Sequence, residues 1–169
     1  MQIRDARESD AEGIAAIYND AVDTTAIWND AKVDAANRRA WLLERQQAGF
    51  PILVVLDDRE DVLGYASFGP WRAWDGYRHT VEHSVYVRGD RRGAGVGRAL
   101  MEELIARAIA SGMHVMVAGV EAKNLASIRF HEKLGFAQVG YFQEVGCKFG
   151  AWLDLVFLQR TLDRCAFPK

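Results

Sequence analysis

A carboxylate stands where an apolar strand is expected. Thr80-Val81-Glu82-His83-Ser84-Val85-Tyr86-Val87 is rich in β-branched and aromatic residues, which fit a pleated, half-buried surface, whereas a glutamate there is depleted and costs free energy to bury. Such a carboxylate is a candidate general base, taking a proton from a nucleophile directly or through a water. Its other role is an ion pair with Arg72 or Arg78 of the preceding segment. Strand alternation puts Glu82, Ser84 and Tyr86 on one face and His83, Val85 and Val87 on the other. The same run spells His-x-x-Glu-His over 79–83, a zinc signature when helical. In a strand the two histidines stand about 13 Å apart, too far for two ligands that must each lie about 2.1 Å from one metal, so no metal is expected.

A second cluster is built of glycine. Arg92-Gly93-Ala94-Gly95-Val96-Gly97-Arg98 lies between that strand and an amphipathic helix. A helix start offers unpaired N–H groups and a partial positive charge. Glycines admit left-handed torsions and let those N–H groups approach an anion, for which a pyrophosphate is the natural guest. The plainer alternative is a tight strand–turn–helix without a ligand. A Walker loop requires Gly-Lys-Ser/Thr, and Gly97 is followed by Arg98-Ala99. A dinucleotide fingerprint requires a third glycine where Leu100 stands. What remains is an Arg/Gln-x-x-Gly-x-Gly/Ala loop.

Around these lie groups suited to a small anion. Arg72, Tyr77, Arg78 and Lys148 can grip a carboxylate head, which arginine holds bidentately. Trp28, Phe68 and Trp71 can wall a small pocket. Taken singly, such arginines are usually solvated and such tryptophans usually pack. Cys147 has no histidine partner in its sequence context and is not expected to carry an acyl group.

The elements that must position these residues alternate between strand and helix. Gln2–Ala6 reads as a strand, and Ser9-Asp10-Ala11-Glu12 as a capping box opening a helix with Ile14, Ile17, Tyr18 and Ala21 on one face. Asp34 caps a second helix to about Ala48, stopped by Gly49 and Pro51. Ile52–Leu56 and Val62–Phe68 form a hairpin around Asp57–Asp61. Gly69–Thr80 is a loop, Val81–Val87 a strand and Val96–Ala110 a helix. Val115–Val120 is a strand and Asn124–Leu134 a helix ended by Gly135. Phe136–Gln143 and Trp152–Gln159 are the last strands. This order predicts a mixed α/β (α+β) domain with a partly antiparallel sheet.

The bulk numbers agree with one domain over residues 1–169. A net charge of −2 gives no electrostatic case for nucleic acid. Met1–Asp5 carries an acid and no apolar run follows it, so no signal peptide is expected. The apolar runs Ile52–Leu56 and Leu155–Leu158 are too short to span a bilayer. Cys147 and Cys165 have no CxxC spacing, which points to neither a disulfide framework nor a zinc ribbon and leaves a reducing cytoplasm as the expected compartment.

Arg92-x-x-Gly95-x-Gly97 resembles the pyrophosphate-binding motif of GNAT acetyltransferases. Asn124-Leu125-Ala126-Ser127-Ile128-Arg129-Phe130-His131-Glu132-Lys133-Leu134-Gly135-Phe136 is similar to the family's second motif, Asn-x-x-Ala/Ser-x-x-x-Tyr-Glu-Lys-x-Gly-Phe, with histidine at the tyrosine position. Gly69-Pro70-Trp71-Arg72, Thr80–Val87 and Lys148-Phe149-Gly150-x-Trp152-x-Asp154 resemble the phosphinothricin/methionine sulfoximine acetyltransferase group. The resemblance implies a GNAT fold: a central, mostly antiparallel twisted sheet flanked by helices, its central strands splayed to take acetyl-CoA. It implies that the main chain of Val85-Tyr86-Val87 pairs with pantetheine, that Arg92, Gly93, Ala94, Gly95, Val96, Gly97 and Arg98 hold the pyrophosphate, and that Asn124 lies beside the cofactor. It implies direct acetyl transfer, without metal, to the amine of an amino-acid-like molecule by a cytoplasmic homodimer. Glu82 would be the base. His131 would protonate the leaving thiolate or only contact the ligands, two roles that the sequence leaves open. The rivals are GNAT enzymes for a protein N-terminus or a polyamine, and a non-catalytic acyl-CoA-binding regulator.

Overall fold

A computed structural model describes residues 1–165 and 167. The elements run β1 (Gln2–Asp5), α1 (Ala11–Val22), α2 (Ala35–Gln47), β2 (Ile52–Leu56), β3 (Val62–Pro70), β4 (Thr80–Val87), α3 (Val96–Ala110), β5 (Val115–Glu121), α4 (Leu125–Lys133), β6 (Ala137–Lys148) and β7 (Ala151–Thr161). This is the mixed α/β architecture expected. Among the described residues no helix is long and apolar enough to cross a membrane. The chain forms two compact units, Met1–Phe68 with Ser84–Leu104, and Gly69–His83 with Ile105–Lys169.

In the first unit the strands lie in the order β1, β2, β3 and the Ser84–Val87 half of β4. β1–β2 and β2–β3 are antiparallel. All five residues of β2 are buried, the pattern of a strand covered on both faces. Ile14, Ile17, Leu42, Ile52, Val54, Leu56 and Tyr65 are members of one apolar cluster. Gly64 is required by close approach: a Cβ there would stand 2.9 Å from the Tyr86 carbonyl oxygen and 3.1 Å from Val96.

The N-terminus of α1 differs from expectation. Ser9 lies within a short 3₁₀ turn, Glu8–Asp10, and the Ser9–Glu12 box does not form. Asp10 takes over: its carboxylate accepts from the Arg7 N–H at 2.7 Å and holds the Arg4 guanidinium at 2.7 and 2.9 Å. An ionised carboxylate makes stronger hydrogen bonds than a serine hydroxyl, and the buried Asp10 is held below the usual carboxylate range by those bonds, against the opposing effect of its burial. Asp34 caps α2 as expected, accepting from Asn37 N–H at 2.8 Å.

In the second unit the order is the Thr80–His83 half of β4, then β5, β7 and β6. β4 and β5 run parallel, in register from Thr80↔Val115 to Glu82↔Val117, while β5–β7 and β6–β7 are antiparallel. The last two strands are longer than predicted. They meet at Phe149 and Gly150, both at positive φ (51° and 74°), which is the geometry of a two-residue hairpin turn.

Candidate active site

The glycine turn has the geometry that its sequence demands. Gly93 and Gly95 sit at φ +78° and +84°, in the left-handed region, and a Cβ at either would meet nothing within 4 Å. Their requirement is therefore torsional, and the space before them is open. The first helical bond of α3 runs from Ala99 N–H to the Gly95 carbonyl at 3.0 Å, so the preceding N–H groups at Val96, Gly97 and Arg98 are the ones that a helix start leaves unpaired. Val96 is buried and anchors the turn, while Arg92, Gly93, Ala94 and Gly95 are exposed. Arg98 pairs with Glu102 one helical turn on, at 3.5 Å. An exposed array of N–H groups at a helix start suits an anionic diphosphate, so the residues fit the cofactor expected of them. Val85, Tyr86 and Val87 lie half-buried in the same unit.

Glu82 lies in the second unit. It is half-buried, its carboxyl is pushed above the usual range by burial, and the positive charge of Arg72 partly opposes that rise. Oε1 lies 3.2 Å from where a Cβ at position 119 would sit, so Gly119 makes room for the carboxylate. Among the described residues the Glu82 carboxylate makes no ion pair and no hydrogen bond. A carboxyl that is desolvated, without a side-chain hydrogen bond and raised above its usual range is a candidate general base.

Its surroundings come from the Gly69–His79 segment. Trp71 N–H bonds to the Thr80 carbonyl at 3.3 Å and pins the segment to β4. Trp71 and Tyr77 meet edge to face at 5.0 Å, and the exposed Arg72 guanidinium lies 4.9 Å from the Trp71 ring centre. Arg78 is exposed and donates to the Asp75 carbonyl at 3.0 Å. Lys148, expected to help grip an anionic head, is buried at 4% exposure, with Nζ 5.0 Å from the Phe149 ring centre. Trp28 and Phe68 belong to the first unit. Trp28 donates to the Thr25 carbonyl at 3.0 Å. Phe68 is 3% exposed and packs edge to face on Phe50 at 6.0 Å, which makes it a core residue. Asn124 caps α4, its side-chain oxygen accepting from Ser127 N–H at 3.1 Å.

His131 is where sequence reasoning was least complete. It is 3% exposed and stacks on His83, itself 8% exposed, with ring centres 5.0 Å apart. The two Nε2 atoms are 3.2 Å apart, and His131 Nδ1 lies 2.7 Å from the Ser127 carbonyl. Burial lowers both imidazoles, His83 to about 3, with the neighbouring His131 adding to the effect. Paired residues of adjacent strands share a face, which puts Glu82, Val117, Gly119, Leu155 and Phe157 on one side of the second unit's strands. His83 points to the other side, where α4 brings His131. The structure thus does not gather Glu82 and His131 into one cluster. His83 was placed on the face opposite Glu82 but given no role; the usable signal was a histidine in a Val/Tyr strand facing a helix that carries another.

A strand–glycine turn–helix with open N–H groups at the helix start suits a cofactor that carries a diphosphate. The acetyltransferase (GNAT) family model matches residues 14–136, and the chain belongs to that family. It is 58% identical over 162 residues to the L-methionine sulfoximine/L-methionine sulfone acetyltransferase of Pseudomonas aeruginosa, covering 95% of this chain and 94% of that protein. It is 39% identical to the phosphinothricin N-acetyltransferase of Alcaligenes faecalis, covering 95% and 82%. Among solved structures, an acetyltransferase from Salmonella typhimurium with its cofactor acetyl-CoA is 52% identical, with a TM-score of 0.95 over 99% of this chain and 97% of that one.

Proposed function

We propose that this chain transfers the acetyl group of acetyl-CoA to the α-amino group of a small amino-acid analogue of the methionine sulfone, methionine sulfoximine or phosphinothricin type. The observation that carries the reading is the left-handed Gly93/Gly95 turn opening α3; the relatives named above supply the acceptor class. Val85, Tyr86 and Val87 offer main-chain groups to the pantetheine arm, Arg92 to Arg98 cradle the diphosphate, and Asn124 borders it. Glu82 takes the proton that the ammonium must lose before nitrogen can attack. Arg72 and Arg78, with Tyr77 and Trp71, orient the acceptor's carboxylate, and Trp28 lines the acceptor side; Lys148 and Phe68 support those walls from buried positions. β4 and α3 each run from one compact unit into the other, which supports a single working domain over 1–169. The exposed apolar side chains Val139, Tyr141, Phe142, Val145 and Trp152 of β6 and β7 support a homodimer. Transfer is direct, in a ternary complex without metal, in the cytoplasm.

The test is thiol release from acetyl-CoA with a panel of amines. Methionine sulfone, methionine sulfoximine and phosphinothricin are expected to be acetylated well ahead of polyamines and peptides. Preference for a polyamine or a peptide N-terminus would replace the acceptor class, and binding of acetyl-CoA without turnover of any amine would make the chain an acyl-CoA-binding regulator.

A further inference from the structure

Gly119 is a glycine that its own strand does not explain. It lies in mid-strand in β5, two residues past Val117, the partner of Glu82, and opposite Phe157 of β7. A glycine inside a strand weakens it, and marks a bulge, a tight bend, or a place where another backbone or a ligand comes close. The β5–β7 register runs unbroken from Val115↔Thr161 to Glu121↔Leu155, so neither a bulge nor a corner falls there. Its φ lies outside the left-handed region, so no torsion requires it. The three atoms nearest to a Cβ at this position all belong to side chains: Glu82 Oε1 at 3.2 Å, and Leu155 Cδ1 and Phe157 Cε1 at 3.6 Å each. No backbone comes closer than these. Gly119 is nevertheless exposed, while Met116, Val117, Ala118, Val120 and Glu121 around it are all buried. The face that carries Glu82 therefore has a local opening, floored by the Gly119 main chain and walled by one carboxylate and two apolar side chains. Phe142 packs edge to face on Phe157 at 5.3 Å and backs that wall.

We propose that this opening receives the side chain of the acceptor, and that Gly119 is the residue that determines which acceptors fit. The proposal rests on the acetyl-transfer reading above, in which Glu82 takes the proton of the acceptor's ammonium. An amine within hydrogen-bond reach of Oε1, about 2.6–3.2 Å, stands at the edge of the opening, because the Cβ site of Gly119 is itself 3.2 Å from that atom. The carbons that follow the amine then run over Gly119 toward Leu155 and Phe157. Methionine sulfone, methionine sulfoximine and phosphinothricin each carry two methylenes between the α-carbon and the polar tail, and apolar walls suit those methylenes. Arg72, whose positive charge reaches Glu82, is left for the α-carboxylate. Amine, carboxylate and chain thus meet three different groups of the second unit. A side chain at position 119 would occupy the space that the acceptor needs and crowd the carboxylate that receives its proton.

The first test reads the wild-type protein without turnover. With CoA in place of acetyl-CoA, nuclear Overhauser contacts are expected between the methylene protons of methionine sulfone and the Leu155 methyl groups and Phe157 ring. A bound sulfone that makes neither contact overturns the proposal. The second test fills the opening. Gly119→Ala is expected to lower kcat/KM for methionine sulfone at least about tenfold, the smaller end of what one carbon is worth in an apolar pocket. Gly119→Val should lower it further, while acetyl-CoA affinity by calorimetry stays that of wild type. Alanine is the better strand residue at an ordinary torsion, so Gly119→Ala should melt at or above the wild-type temperature; a lower one would make the glycine structural and overturn the assignment. Wild-type kcat/KM in both variants, or a loss confined to acetyl-CoA affinity, refutes the proposal and leaves the acetyl-transfer reading standing. Wild-type enzyme that acetylates no amino-acid analogue sinks that reading, and the acceptor opening with it.

Discussion

Acidification should destabilise this protein through His83 before most of its carboxylates titrate, and replacing that residue should remove the effect. Burial lowers His83 from 6.5 to about 3, with the adjacent His131 contributing next. In the unfolded chain the same imidazole titrates near 6.5. At about pH 5 the unfolded chain therefore binds a proton that the folded chain refuses, so stability falls as pH drops below 6.5 and goes on falling toward 3. The gap between 6.5 and pH 5, at about 1.4 kcal/mol per pH unit, amounts to about 2 kcal/mol. That is a sizeable fraction of the stability of an ordinary domain, about 5–15 kcal/mol. The assay is urea unfolding of wild type and His83→Phe at pH 7.5 and pH 5, with folded cores verified by near-UV circular dichroism. Carboxylates and the histidines away from this pair titrate in both proteins, so the difference between the two pH-induced losses reports His83 together with its effect on the adjacent His131. Wild type should lose about 2 kcal/mol more than the variant. Equal losses would mean that His83 takes up its proton in the folded state, against the lowering that its burial implies.

Three further variants test the same geometry. Gly95→Asp puts a side chain at φ +84° and a negative charge before the start of α3; the torsion costs about 1–2 kcal/mol, while acetyl-CoA affinity by calorimetry should fall by orders of magnitude, and unchanged affinity would remove the turn from the cofactor site. Glu82→Gln should lower kcat more than acetyl-CoA affinity and abolish the acidic limb of the rate profile, since the raised carboxyl must lose its proton to act. The same variant should melt higher than wild type at pH 8, because a group whose folded-state pKa is raised loses stability as pH climbs from its unfolded value through its folded one; a lower melting temperature would show that the charge is compensated. Arg72→Ala should raise the KM for methionine sulfone about ten- to a hundredfold, as expected for one charged hydrogen bond of about 1.5–3 kcal/mol, and a shift confined to acetyl-CoA would place Arg72 on the cofactor instead.

Local chemistry made much of this fold legible. The Asp34 cap, the Ile52–Leu56 strand and the Gly93–Gly97 turn each depend on residues a few positions apart, and each lies where its residues predicted. Ser9 failed as a cap for a nonlocal reason: Arg4, six residues before Asp10, supplies a bidentate partner that makes the neighbouring carboxylate the better anchor. The β6–β7 hairpin was underestimated because Phe149-Gly150 is not one of the usual Asn-Gly or Asp-Gly signals, and Phe149 adopts φ 51° only within the ladder that flanks it.

The site shows the same division between local and distant information. Glu82 stood out because a single residue contradicted its own strand. His131 was visible as a departure at one position of a helix, but its protonation depends on a carbonyl four residues earlier and on a histidine 48 residues away. Alternation already put His83 opposite Glu82, so a base and an acid acting from one cluster required His131 to reach across the strand. The structure brings the partner to His131 on its own side. Glu82 and the two imidazoles lie on opposite faces of the second unit's strands, so the carboxyl and the histidine pair form separate clusters. Burial acts on both clusters by disfavouring the charged form, so it raises the carboxyl of Glu82 while it lowers the imidazoles of His83 and His131.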